Sequence, residues 1–252
     1  MGSYIKKYPT ETEWLSEQPS FQFPHVSYVV DINYVDFGLY EYPTAIPSDD
    51  VLTAASNPQV YAILNNNSIP HTGENDGYTA DDLATITVEQ LYDQNSNSIF
   101  NGSDIETFNE FAYFTVSSVP NGIFDGCSSL TSVVIPQSAT DIGSSAFMGC
   151  TSLTEITIPN SVTAIGRSAF LGCSSLERVV IGLSVTSIGD QSFQSCSSLE
   201  EISALPTTAP SITQNTFSNI KRNGELKVRT GSDYSSWMSE LSSYDWEITY
   251  VN

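Results

Sequence analysis

Four cysteines stand at Cys127, Cys150, Cys173 and Cys196, each 23 residues after the last, and the chain has no others. Sulfur at a fixed interval could close disulfides or hold a zinc ion. Both chemistries need the side chains to converge. The neighbours repeat with the cysteines: Phe124, Phe147, Phe170 and Phe193 three residues before, Leu130, Leu153, Leu176 and Leu199 three residues after. A fixed period of this length marks a solenoid, with each repeat one coil stacked on the last. Strands in adjacent coils lie about 4.7–4.9 Å apart, and a disulfide tolerates Cα separations of about 4.4–6.8 Å. Distance alone permits pairing, but direction opposes it, because equivalent residues in stacked coils point their Cβ atoms the same way. A straight ladder also cannot surround one ion tetrahedrally. The residues favour buried free thiols, small inward groups at the corner of each coil.

One coil reads out from Leu153. Leu153, Ile156 and Ile158 follow an L-x-x-I-x-I pattern closed by Pro159, and the same places hold Leu130, Val133, Ile135, Pro136 and Leu176, Val179, Ile181, Gly182. The last two apolar positions are two apart and so share one face of a strand. A Ser-(Val/Ala)-Thr-x-Ile-Gly stretch follows at 138–143, 161–166 and 184–189. It reads as a second short extended segment on the opposite wall, ended by a glycine in a turn. Upstream, Phe111 to Gly126 keeps only the second half of the pattern, with Val119 at the Ile142 position. Downstream, Phe217 comes 24 residues after Phe193, one residue late. Terminal coils that cap an array are expected to depart from its consensus.

The string Cys-x-Ser-Leu-x-x-(Ile/Val)-x-Ile-Pro-x-Ser-Val-Thr-x-Ile-Gly-x-x-Ala-Phe-x-x-Cys resembles the BspA-type leucine-rich repeat of bacterial surface proteins, over about residues 105–220. The tail, with Thr207-Thr208-Ala209-Pro210, Phe217 and Leu226-Lys227-Val228, is similar to that family's C-terminal cap; Val228-Arg229 departs from its usual Val-Pro. The resemblance implies a cell-surface or extracellular, non-enzymatic adhesion or binding protein, without identifying a ligand. The expected fold is a leucine-rich-repeat solenoid, β-rich with 23-residue coils, preceded by a small α+β N-terminal domain. Its parts are a strand-rich aromatic segment (1–45), a short-helix acidic region (46–104), the solenoid (105–222, clearest over 127–198) and a C-terminal cap (223–252).

Between the core positions of each strand lie residues that should face out. They form two rows across coils, Ser132, Glu155, Arg178, Glu201 and Val134, Thr157, Val180, Ser203. In this architecture the strand face is the usual binding surface. Glu155, Arg178 and Glu201 put opposite charges side by side, either as a cross-strand salt ladder or as a polar ligand patch. The rows carry no aromatic anchors of the kind that mark interface hot spots.

The N-terminal half is less regular. Residues 28–35 read as strand. Ser48-Asp49-Asp50 should start a short helix to about Ser56, and Asn57-Pro58 a second through Leu64. Thr79-Ala80-Asp81-Asp82 and Thr87-Val88-Glu89-Gln90 resemble capped helix starts, and Ser103-Asp104-Ile105-Glu106 a full capping box before a helix to about Phe114 that would seal the first coil. The acidic turn around Asn75-Asp76-Gly77 suggests a Ca2+ loop. With Gly77 at loop position six, however, Thr72 and Leu83 fall where carboxylates belong, which leaves a shorter set of Glu74, Asp76 and Asp82 or an ordinary turn. Trp14, Phe21, Phe23, Tyr28, Tyr34, Tyr40 and Tyr42 could stack sugars or fill a small core. They support the alternative reading, a glycan-binding or glycan-processing protein.

Composition bounds the partners. The chain carries 8 basic and 29 acidic residues in 252, net −21. Residues 1–104 hold 15 acidic and 2 basic residues, and the remainder 14 and 6. Nucleic acid and anionic lipid need clustered Lys and Arg, so they are not expected. No apolar run is long enough to span a membrane. Met1-Gly2-Ser3 reads as an appended start with native sequence from near Tyr4, so a targeting segment is expected to have been removed. Only His25 and His71 are present, in a region without a nucleophile motif. No Gly-x-Ser-x-Gly elbow or phosphate-cradling loop occurs, and chance alone supplies carboxylate pairs in so acidic a chain. No catalytic residue, resident metal or cofactor is assigned. The expected partner is a host or bacterial surface protein or a matrix polymer.

Overall fold

The computed structural model describes residues 52–72 and 77–251. The strand at 28–35, the start of the helix at Ser48, the aromatic set from Trp14 to Tyr42, and Glu74 and Asp76 lie outside the described residues; the described end of that helix is instead a bridge from Leu52 to Tyr78 and a turn to Ser56.

Within the repeats the chain alternates between two parallel walls. On the first, β1 (Thr107–Phe108) pairs with β2 (Ser132–Val133). Beside them, β4 (Glu155–Thr157), β6 (Arg178–Ile181), β8 (Glu201–Ala204), β9 (Glu225–Arg229) and β10 (Glu247–Val251) form a five-stranded sheet. On the second, β3 (Asp141–Ile142), β5 (Ala164–Ile165) and β7 (Ser187–Ile188) form a three-stranded sheet, extended by bridges from Val119 to Ile142 and from Ser187 to Ser211. Register fixes the faces: Ile156 lies opposite Val179, Val179 opposite Ile202, and Ile202 opposite Leu226. All four are buried.

The space between the walls is filled by a ring stack. Phe124, Phe147, Phe170, Phe193 and Phe217 follow one another at centroid distances of 5.3, 5.1, 5.2 and 5.6 Å. The middle pairs are within 4° of coplanar. Offset stacking adds about 0.5–1.5 kcal/mol per pair beyond area burial. No single coil can supply such a pair, so the core exists only when coils stack. Leu153, Ile156, Ile158, Val162, Ile165, Ala169, Phe170 and Cys173 are all buried, giving one coil its full inward set.

The four cysteines are buried and free. Each has a job that spacing alone did not reveal. The thiol of Cys150 donates to the Phe124 carbonyl at 3.2 Å, Cys173 to Phe147 at 3.1 Å and Cys196 to Phe170 at 3.3 Å. Each of these carbonyls also accepts the backbone N–H of the cysteine in its own coil. The sulfur therefore bridges two coils through one oxygen. Burial pushes the thiols of Cys127, Cys150, Cys173 and Cys196 up, away from the reactive thiolate.

The glycine expected to turn the chain does something else. Gly143, Gly166 and Gly189 do not take a left-handed φ; that falls two residues later, at Ser145, Ser168 and Gln191. The glycines are needed because coils touch there. A Cβ on Gly166 would sit 2.6 Å from the Ser144 nitrogen and 2.7 Å from the Gly143 carbonyl carbon.

The helix expected over 103–114 is absent. Thr107–Phe108 is strand β1, and only a 3-10 turn follows at Asn109–Tyr113, capped by no Ser103 side chain. The repeat register overrides the local capping signal. Ile99-Phe100-Asn101-Gly102-Ser103 takes the place that Ile123-Phe124-Asp125-Gly126-Cys127 holds one coil later. Gly102 N–H donates to the Asp125 carbonyl at 2.8 Å as Gly126 N–H does to Met148 at 2.7 Å, and the Cys127 thiol donates to Phe100 at 3.0 Å. Ile105, Phe108 and Phe111 are buried, so this segment does seal the first coil, as strand and turn rather than helix.

Other helix starts match expectation. α1 (Pro58–Asn66) begins with Asn57 as N-cap and Pro58 at the first position. α2 (Ala80–Thr85) carries the Thr79–Asp82 capping box. Val88–Leu91 forms a 3-10 turn with the Gln90 amide oxygen accepting the Thr87 N–H at 2.8 Å. α1 also closes the open edge of β1 with side chains. Gln59 donates to the Asp104 carbonyl at 3.0 Å and accepts from Glu106 N–H at 3.1 Å, while Asn57 donates to the Thr107 carbonyl at 2.9 Å. A bare parallel edge would invite unwanted pairing.

The far end is closed by α3 (Ser235–Leu241), the 3-10 turn Ser242–Tyr244 and β10. Phe193 N–H donates to the next coil's Thr216 carbonyl, but Phe217 has no further coil. Its N–H is met by Glu240 Oε1 at 3.0 Å, and Asn219 N–H by the Tyr244 hydroxyl at 3.0 Å. Trp237 packs on Phe217 at 5.2 Å and ends the ring stack.

Candidate functional site

The first wall turns the two expected rows outward because strand side chains alternate. Glu155 lies opposite Arg178, and Arg178 opposite Glu201; Thr157 lies opposite Val180, and Val180 opposite Ser203. Ser132 pairs with Thr107 at the N-terminal end, and its hydroxyl donates to Asn109 Oδ1 at 2.8 Å. Seven of the eight residues, Ser132, Val134, Glu155, Thr157, Arg178, Val180 and Glu201, are partly or fully exposed. Ser203 is not. It is 1% exposed.

The reason is a residue the sequence reading left off the row. Lys227 lies opposite Ser203 in the register, and its ammonium reaches diagonally to Glu201 Oε2 at 2.8 Å. Ser203 is the lysine's cross-strand neighbour, and its hydroxyl donates to Glu201 Oε1 at 3.2 Å. Glu201 therefore pairs with Lys227, and Arg178 turns the other way, to Glu155 at 3.2 Å and Glu177 at 3.8 Å. The alternating Glu–Arg–Glu ladder becomes two separate clusters, each with one cation between two carboxylates, since Lys227 also lies 3.6 Å from Glu225. The hydrogen bond to Glu155 raises the Arg178 guanidinium above its ordinary range. Burial would lower Lys227, but the Glu201 hydrogen bond and the two carboxylates outweigh it and hold the ammonium charged.

The rows run further than expected. Glu225 and Glu247 continue the Glu201 row, and Lys227 and Thr249 the Ser203 row. The signal was present in the alternation of Leu226-Lys227-Val228 and Ile248-Thr249-Tyr250, which reads as strand. The tail's change of period hid it.

Of the suggested Ca2+ set, Asp82 alone lies among the described residues. Its carboxylate accepts four hydrogen bonds from Thr72 and Thr79, backbone and side chain, at 2.7–3.0 Å. Burial would raise its pKa; these donors overcome that and bring it down to about 2. The carboxylate is occupied in holding α2 to the preceding loop.

Comparison with known proteins adds the following. Residues 117–230 match the BspA type leucine rich repeat region, in six copies. No curated protein matches the chain. A leucine-rich repeat protein from Bacteroides ovatus is 35% identical over 46% of this chain and 29% of its own length, with a TM-score of 0.40. A leucine rich cell surface protein from Faecalibacterium prausnitzii is 27% identical over 60% of this chain and 39% of its own, with a TM-score of 0.45. A leucine-rich repeat protein of T. pallidum is 22% identical over 59% of this chain and 77% of its own, at 0.36. The chain thus spans less than two fifths of the first two. Two parallel walls, a buried phenylalanine in each coil followed by a buried cysteine in four of them, and the six matched copies make residues 117–230 a BspA-type leucine-rich repeat region.

Proposed function

We propose that the protein is a non-enzymatic binding protein of the bacterial surface or its surroundings, and that the exposed face of the first wall is its binding surface. The single observation that carries this is the surface itself. Side chains of fixed register project from parallel neighbours over Glu155, Arg178, Glu201 and Glu225, with Thr157, Val180 and Lys227 beside them. The Ser132–Val134 end joins this surface, while Ser203 serves beneath Lys227 as support. An extended row of mixed charge suits a protein or polymer lying across many strands. The BspA-type repeat, a repeat of bacterial surface proteins by resemblance, supports the location. The partner class is a host or bacterial surface protein or a matrix polymer.

Without aromatic anchors, single contacts on this face are weak, and avidity from several copies is the route to useful affinity. A panel of matrix and cell-surface proteins, probed with the protein tethered at high density, tests the reading. Arg178→Glu and Lys227→Glu should each abolish a positive signal while the circular dichroism spectrum is unchanged. A binder that is indifferent to both reversals would place the surface elsewhere.

A further inference from the structure

The wall opposite the binding face has its own end. Its last segment, Pro210–Gln214, is joined to β7 by the Ser187–Ser211 bridge, and α3 stands beside it where a further strand would lie. Between segment and helix is an open groove of about 730 Å³. Its lining is rich in hydroxyls, with Thr186, Ser211, Thr213 and Ser239 among them, together with Gln214 and Glu240.

The hydrogen bonds say what these hydroxyls can still do. Thr186 donates to the Thr163 carbonyl at 3.1 Å and Ser211 to the Thr186 carbonyl at 3.4 Å. Thr213 donates to Asp190 Oδ1 at 2.8 Å, and Ser239 to the Ser236 carbonyl at 2.7 Å. All four protons are spent on the protein, so what these oxygens retain is lone pairs. These four oxygens can therefore accept from a ligand, whereas Gln214 and Ser236 keep donors of their own.

Glu240 sharpens the point. One oxygen, Oε1, stands in for the missing coil and takes the Phe217 N–H. Among the described residues Oε2 meets no protein donor, and no cation pairs with the side chain. Neither Lys nor Arg lines the groove. Capping explains one oxygen of this half-buried carboxylate and leaves the other without a partner.

We propose that this groove binds a protonated amine or guanidinium, the head group of a lysine or arginine on a partner chain, with Glu240 as counter-ion and the wall hydroxyls as acceptors. The site is separate from the strand face and stands or falls independently of it.

The test is a titration of the ¹⁵N-labelled protein, followed by amide shifts, with N-acetyl-lysine N-methylamide and with its Nε-acetylated, uncharged analogue. The charged probe should move the amides of 211–214 and 236–240 saturably, and the neutral one should not. Glu240→Gln should weaken the charged probe by about tenfold or more, the scale of a charge-assisted hydrogen bond. The same variant should melt close to the parent, since the amide oxygen still accepts from Phe217. Equal shifts with the neutral analogue would overturn the proposal, as would an unchanged titration of Glu240→Gln. So would shifts confined to the Glu155–Glu225 face, which would show a general attraction to an acidic chain.

Discussion

The ring stack makes a quantitative demand. Phe170 is fully buried between Phe147 and Phe193, within 4° of both ring planes and 5.1 and 5.2 Å from their centroids. Phe170→Ala should cost about 3–5 kcal/mol, because rigid coils on either side cannot close the cavity. Phe170→Leu keeps most of the volume and loses chiefly two stacked pairs, about 1–3 kcal/mol together. The alanine variant should therefore lie about 2 kcal/mol below the leucine variant. Urea unfolding gives both numbers, with an alanine midpoint lower by roughly 1 M or more, given slopes of about 1–3 kcal/mol/M. Two probes should be followed. Far-ultraviolet circular dichroism reports the walls, and tryptophan fluorescence in a Trp14→Phe background reports Trp237 and Trp246, both buried in the C-terminal cap. The stack runs unbroken from Phe170 through Phe193 and Phe217 to Trp237. In an array coupled only through neighbours, damage at Phe170 should still reach the cap, and the two probes should share one lowered midpoint. A loss below about 1 kcal/mol in Phe170→Ala would refute the packing argument. A fluorescence midpoint left at the parent value while the dichroism shifts would refute the coupling.

Three further outcomes follow from the same contacts. Cys173→Ser should fold and cost at most about 1 kcal/mol, since a hydroxyl can make the bond to the Phe147 carbonyl; Cys173→Ala should cost about 2 kcal/mol, and in the parent all four thiols should react with a thiol reagent only after denaturation. Gly166→Ala should cost about 1–3 kcal/mol through backbone overlap, read from the thermal midpoint, although its φ is one any residue adopts. Asp82, with its pKa lowered to about 2, contributes stability that is complete above the unfolded value near 3.8 and is lost as pH falls from there towards 2; urea midpoints measured across that window should drop by up to about 2 kcal/mol of stability in the parent and stay flatter in Asp82→Asn, which starts lower.

How much of this was legible in the sequence depends on whether a residue answers to the period or to the end of the period. Phe147, Cys150, Leu153, Ile156 and Ile165 meet the same neighbours in every coil, so their type repeats and their burial could be read off. So could the outward turn of Glu155 and Arg178. Lys227 could not, because the one-residue insertion before Phe217 breaks the count just ahead of the lysine that takes Glu201 away from Arg178. The first coil was hidden differently. Ser103 stands at the cysteine position, and its string Ser-Asp-Ile-Glu satisfies the rule for a helix cap equally well. Only the Gly102 and Cys127 hydrogen bonds to neighbouring coils decide between the two.

The caps were least legible, and for one physical reason. Inside the array the N–H groups of Phe147, Phe170 and Phe193 each find their partner on the next backbone. At the ends the partner must come from a side chain: Gln59 for Asp104 and Glu106, Glu240 for Phe217, Tyr244 for Asn219. Any residue with a suitable atom at the right reach will serve, so no fixed spacing announces it. The same argument links the cap to the proposed groove. A backbone carbonyl closing the Phe217 N–H would be neutral. A glutamate closing it leaves a second, charged oxygen beside a wall of hydroxyl oxygens. The position therefore closes the array and also supplies an acceptor that a stacked coil would not.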